Sequence, residues 1–493
     1  MYTSIGLLIN MTSKKSIPFL ILHAILAVSF IALFLTPVDV DLNYQRLILL
    51  LVLIAAFLFF KTSNINGNWL SFNVIFIFGY FIVFFQIILL QQFGYYLPAW
   101  SYKQYWSDPK IENMSLVVSA VAIILYMIGN LYSNSFKRRI NGASIPKETD
   151  SILLLLIVIY ISYLAFFTTA GSYRSGVYYA ADAMPISNYF LKIFNASLTA
   201  AIIVKLTKIF SLNEPLNLYR YVCFFGLPLL LILTWHLGFS LYIGDRGVII
   251  AYGLLFASTY VYKNKKIGFI KLVLILISAS FLLTVVGEVR QSKDKSLTYY
   301  EQLLVSLNGK KENSRWYEET VPGDSFIELA QSGRTLNHSL THVPNNFDYR
   351  YGVYAFKRIS GIIPGMQGVV NNIVENGDDN YLSTAEFISY LIQGDNQTYG
   401  DGTSITADIY LDFGITGVFI VMFTFGLFIG FNESKFNVGS VSYLNIGVVS
   451  FFVFYSKSLY LSRSSIFLEL SIIFMVWLFL VLNNYFVSRF KKT

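Results

Sequence analysis

"LSFNVIFIFGYFIVFFQIILLQ", residues 70–91, runs for 22 residues without one formal charge. A helix rises about 1.5 Å per residue, so this stretch matches a hydrocarbon core about 30 Å thick. Comparable runs recur on both sides of it. They predict helices over Ile17–Thr36, Leu42–Phe60, Leu70–Gln91, Met114–Tyr132, Ser151–Ala170, Ile186–Phe210 and Leu218–Ile243. The series continues with Gly247–Tyr262, Ile267–Gly287, Ile405–Phe431, Val438–Leu459 and Ser465–Val487. Composition agrees: 55% of the 493 residues are hydrophobic, 13% are charged, and mean hydropathy is +0.58. The expected fold is an all-α polytopic membrane protein with about 12 transmembrane helices.

One stretch breaks the pattern. Residues 288–404 hold 15 of the 28 acidic residues, 10 of the 36 basic residues and two of the four histidines. The chain therefore divides into 1–287 (nine spans), 288–404 (one large loop) and 405–493 (three spans). Loops carry function because water and polar partners can satisfy their irregular backbone. The loop carries net charge −5 and the remainder +13. That surplus is scattered between apolar runs and forms no basic face, which argues against nucleic acid as a partner. Instead, Lys14/Lys15, Lys61, Lys137 to Arg139, Lys205/Lys208, Lys263/Lys265/Lys266, Lys435 and Arg489/Lys491/Lys492 all fall on one side of the drawn topology. The positive-inside rule makes that side cytoplasmic, with both termini there and the acidic loop external. The first apolar run is too long for a cleaved signal and is expected to be retained. Cys223 is expected to be a small buried residue, since one cysteine builds neither a disulfide framework nor a cysteine metal site.

Two helices are predicted inside the loop. Over Asp324–Val343, Leu329, Gly333, Leu336, Leu340 and Val343 share one face, which leaves Arg334, His338 and His342 toward water. Over Ser383–Gln393, Ser383 and Glu386 form a capping-box pattern.

On this topology Arg174, Arg246, Arg290, Arg315, Arg334, Arg350, Arg358 and Arg463 are all external. Arg246 and Arg463 stand out because they occupy very short turns between apolar helices, where an unpaired guanidinium is costly. A planar five-donor fork suits phosphate and pyrophosphate. The plainer reading is an interfacial arginine reaching toward lipid headgroups, with Asp245 pairing Arg246. His338 and His342 can be metal ligands completed by Asp348, surface residues without a role, or a proton carrier at a reacting hydroxyl. Asp39 and Asp41 form a DxD, a common tripeptide that also serves as a metal-binding motif. Asp408, at the start of an apolar run, calls for a partner such as an arginine. The aromatic run "YYLPAWSYKQYW" (95–106) exceeds an interfacial belt and offers faces on which sugars stack. No P-loop, Rossmann fingerprint or nucleophile elbow is present, and neither a cofactor nor a metal is expected.

The segment "GDGTSITADIYLDFGITGVFIVMFTFGLFIG" (400–430) resembles the end of the large loop and the following helix of Wzy-type O-antigen polymerases. "GDRGVIIAYGLL" (244–255) and "FDYRYGVYAFKRISGIIPG" (347–365) are similar to that family's arginine–glycine turn and its Ile-Pro stretch. The resemblance implies a fold related to C-type glycosyltransferases, located in the bacterial inner membrane. It also implies that undecaprenyl-pyrophosphate-linked oligosaccharide units are joined to a growing polysaccharide at the periplasmic face, with a chain-length regulator protein as a further partner. In that family external arginines are functional. Arg246 matches the arginine–glycine turn, Arg358 lies in the Ile-Pro stretch, and Arg174 in "YRSG" corresponds by loop order. On this reading Arg246, Arg358 and Arg463, with Arg290, bind pyrophosphate, while His338 beside Arg334 activates the acceptor. His342, Asp408 and Asp245 are further candidates. Three alternatives stay open: an O-antigen ligase, a metal-dependent C-type glycosyltransferase using Asp39 and Asp41, and a lipid-linked oligosaccharide flippase.

Overall fold

The computed structural model describes residues 13–63, 68–133, 148, 150–174, 185–212, 214–243, 245–264, 267–275, 316–317, 321–323, 326–363, 366–374, 383–436 and 441–490. All regular structure among them is helical. In chain order the helices are α1 (Ser13–Phe34), α2 (Leu42–Thr62), α3 (Phe72–Gln92), α4 (Ala99–Trp106), α5 (Ile111–Ser133), α6 (Leu153–Thr169), α7 (Pro185–Ser211), α8 (Leu227–Tyr242) and α9 (Arg246–Asn264). There follow α10 (Arg334–His342), α11 (Val353–Ser360), α12 (Met366–Val374), α13 (Thr384–Gln393), α14 (Ile405–Phe436), α15 (Ile446–Lys457) and α16 (Ile466–Phe490). Seven of the described helices are long and apolar enough to cross a membrane, and three shorter apolar ones (α6, α8 and α15) accompany them. These features make the chain a multi-pass membrane protein.

Burial separates the scaffold from the periphery. The apolar windows of α3 and α5 are 83% and 89% buried, against 28% and 33% for α1 and α2. The central pair is α5 with α14, which meet through small residues. A Cβ at Gly129 would collide with the Phe423 carbonyl, one at Gly426 with the Tyr126 carbonyl, and one at Gly430 would lie 2.7 Å from the Asn130 carbonyl. Between apolar helices in an apolar solvent, such close backbone approach supplies the van der Waals contact that holds the pair together.

Several expectations are corrected. The run over Leu218–Ile243 is not one helix, because a short turn at Leu218–Cys223 is cut off from α8 at Gly226, whose φ is +81°. Cys223 is exposed, not buried. The run over Ile267–Gly287 lies mostly outside the described residues, as do Arg290 and Arg315. The predicted helix over Asp324–Val343 is three pieces: a turn at Ile327–Ala330, a 3-10 turn at Gln331–Gly333, and α10. The backbone stays right-handed helical through the 3-10 turn, and Gly333 at its end is in close contact. A Cβ there would lie 2.5 Å from the Val83 carbonyl and overlap the Tyr105 hydroxyl, so the chain touches α3 and α4 at this point. By contrast Ser383 caps α13 as its sequence pattern indicates, accepting from the Glu386 N–H at 3.3 Å.

Replacing Gly426 with Val should overpack the α5–α14 contact and cost about 2 kcal/mol. The expected readout is a lower melting temperature of the detergent-solubilised protein, and an unchanged one would show that the two backbones do not meet there.

Candidate active site

Three separate segments bring charged groups to one place. The first is the turn entering α9. Asp245 Oδ1 accepts from the Gly247 N–H at 3.0 Å, which caps the helix that Arg246 begins. The second is the short helical turn Ile327–Ala330, where Ile327, Leu329 and Ala330 are buried and Glu328 is exposed. The third is the 3-10 turn Leu461–Arg463 between α15 and α16.

Glu328 joins the other two segments. Its Oε2 lies 2.6 Å from Arg246 Nη2 and its Oε1 lies 3.9 Å from Arg463 Nη1. The Arg246 side chain is 20% exposed and that of Arg463 39%, so the pair is open to water on one side. Tyr460 sits among them. Burial pushes its phenol up to about 12, while Arg246 and Arg463 pull the other way and Glu328 and Asp245 add to the rise. Helix α3 sets the spacing. Gly79 admits the Leu459 carbonyl where any Cβ would collide, and Phe78 meets Phe326 edge-on at 5.9 Å.

The N-terminal end of α14 holds the remaining loop segments. Asp408 is fully buried and accepts from Thr384 Oγ1 at 2.6 Å and from Ser465 Oγ at 2.7 Å. Hydroxyls thus satisfy Asp408 directly, with Arg358 acting on it only electrostatically. Ser465 begins α16, so Asp408 fixes the turn that carries Arg463. One helical turn on, Asp412 accepts from the Tyr354 and Ala355 N–H groups at 3.2 and 2.8 Å. It thereby caps α11, the helix that bears Arg358, from another part of the chain.

The face expected to meet water is inside instead. Arg334 and His338 are 8% and 5% exposed. Arg334 pairs with Asp401 and lies under the rings of Trp316 and Tyr399, 5.3 and 5.9 Å from their centroids. Burial raises the Asp401 carboxyl, with Arg334 and Gln393 opposing. His338 Nε2 donates to the Gln104 carbonyl at 2.9 Å, and Asn337 Nδ2 donates to the Tyr105 carbonyl at 2.9 Å. What covers this face is α4, the heart of the aromatic run. Tyr105 and Trp106 are buried in that contact, and Tyr96 and Trp100 stay exposed. His342 is half-buried with its ring 6.2 Å from that of His338.

Arg174 ends a single turn after α6, with its guanidinium 5.9 Å from the Phe167 ring, and no contact links it to Arg246 among the described residues. Asp41 caps α2 by accepting from the Asn43 and Tyr44 N–H groups at 2.8 and 3.1 Å. Among the described residues no three of His, Cys, Asp or Glu come together as metal ligands. Glu328 is the residue the sequence reading missed. Its one signal was a lone acid in the apolar string "FIELA" (326–330).

The family model for O-antigen polysaccharide polymerase Wzy matches residues 17–493. No curated protein and no solved structure matches the chain.

Burial holds the His338 imidazole near a pKa of 4, well below its ordinary value of 6.5. The unfolded chain therefore takes up a proton that the folded chain refuses, and stability drains away as pH falls through that window. A His338→Gln variant should lose melting temperature less steeply than wild type between pH 6.5 and 4. Parallel slopes would show that the ring titrates freely.

Proposed function

Because the chain belongs to the O-antigen polysaccharide polymerase (Wzy) family, we propose that it lengthens a surface polysaccharide by joining lipid-linked oligosaccharide units. In this reading the units ride on undecaprenyl pyrophosphate, and the reaction takes place at the periplasmic face of the inner membrane. The termini lie in the cytoplasm. A hydroxyl of the incoming unit attacks the anomeric carbon of the growing chain. The carbon–oxygen bond to phosphate breaks, the lipid pyrophosphate leaves with the bonding electrons, and the hydroxyl proton passes to solvent or a base.

The leaving group gathers negative charge as that bond breaks, so the site needs fixed cations aimed at it. The observation that carries this assignment is the meeting of Arg246 and Arg463, from two short turns, around one carboxylate. Two guanidinium groups drawn toward one carboxylate present several N–H donors to the oxygens of a diphosphate. Arg358, on the helix capped by Asp412, is assigned a supporting role on the same substrate. Arg174 and Arg290 are assigned to it by family resemblance alone.

Acceptor activation is less well served by His338. Burial leaves the imidazole only 5% exposed and lowers its pKa to about 4, so it is a weak base shut away from a sugar hydroxyl. We therefore assign His338 to holding α10 against α4, and Arg334 to holding α10 to Asp401, Trp316 and Tyr399. The exposed rings of Tyr96 and Trp100, on the outer side of that contact, are suited to stacking on the sugar units.

Purified protein supplied only with undecaprenyl-pyrophosphate repeat units should build a ladder of products, with EDTA present or absent. Arg246→Ala should slow it by about a hundredfold, the usual cost of losing one group that stabilises transition-state charge. Arg463→Ala should cost less, since its guanidinium is farther from the shared anion and more exposed. A folded Arg246→Ala protein that polymerises at the wild-type rate would remove the assignment.

A further inference from the structure

Glu328 occupies the place where two arginines would receive a phosphate anion. Its two oxygens are divided between them, Oε2 to Arg246 at 2.6 Å and Oε1 to Arg463 at 3.9 Å. The backbone beneath it is anchored independently, because Ile327, Leu329 and Ala330 are buried while the Glu328 side chain is 53% exposed. The turn thus does not need the ion pair to stay where it is. An ion pair this open to water is weakly held, since solvent screens it and both side chains regain freedom when it parts. A diphosphate brings more oxygens and more negative charge to the same guanidinium forks than one carboxylate does.

We propose that Glu328 is a displaceable counter-ion. With no substrate present it keeps Arg246 and Arg463 in register, and the diphosphate of the lipid-linked substrate takes its place on both. The inference rests on the reading above, in which these arginines hold the diphosphate. It adds a direction. The carboxylate competes with the ligand, so the site binds diphosphate more weakly than its two cations alone would. An enzyme that must shed a lipid pyrophosphate after each transfer gains from that competition, because tight holding of the product slows every later round.

The test uses the full-length protein in detergent, titrated calorimetrically with inorganic diphosphate. Arg246→Ala and Arg463→Ala are compared with Glu328→Gln, which removes the charge but keeps the shape. Glu328→Ala runs in parallel, so that a folding failure in one variant leaves the other. Both arginine variants should bind more weakly than wild type, and both Glu328 variants should bind about fivefold more tightly, the scale of one partly exposed ion pair. If the arginine variants weaken while the Glu328 variants bind equally or more weakly, Glu328 is a structural pin and the competition idea fails by itself. If the arginine variants bind as wild type does, the arginine reading fails and takes the counter-ion with it.

Discussion

Two buried carboxylates at the N-terminal end of α14 hold the site together. Asp408 and Asp412 are four residues apart, so they lie on one face of the helix. Each is fully buried, and a buried carboxylate is tolerable only when hydrogen bonds replace its water. That requirement makes them organisers. Asp408 draws in Thr384 from the start of α13 and Ser465 from the start of α16, and Asp412 draws in the first N–H groups of α11. Three segments distant in sequence are tied to two successive turns of one helix. The arginine of the last turn, Arg463, reaches Glu328 because Ser465 is fixed.

The polar loop and the apolar scaffold depend on each other through the same economy. Helix α3 presents Gly79 to the Leu459 carbonyl and its Val83 carbonyl to Gly333, so both arms of the site lean on one buried helix. Where backbone approaches this closely, a methyl group would have to displace main-chain atoms. The site geometry is therefore set by main-chain contact more than by the reach of long side chains. That matters for arginines, whose flexible stems need a fixed base to present a fork in a defined place.

Much of the fold was legible in the sequence. Uncharged runs of about 20 residues report helices in a membrane because length and composition alone decide the matter. Ser383 announced a helix start because a cap is a local bond. The failures were equally physical. The face carrying Arg334 and His338 read as water-facing because its cover, the aromatic run at 95–106, is remote in sequence, and periodicity cannot report a remote partner. Gly226 broke a run that hydropathy treats as continuous. In the candidate site, the setting of Arg246 and Arg463 in short turns was legible. Glu328 was not, since nothing local says that an acid in an apolar string faces two cations from other turns.

The seam between α10 and α4 also fixes an order of events in time. Its bonds join Asn337 to Tyr105 and His338 to Gln104, across 232 and 234 residues of chain. At roughly 5–20 residues per second, a ribosome needs on the order of 10–50 seconds to make the intervening stretch. Throughout that interval α4 waits with Tyr105 and Trp106 uncovered, while the helices between are made. The loop docks only afterwards, and the arginine cluster needs Arg463, farther along still. A chain cut short before Arg463 therefore carries only part of the arginine cluster.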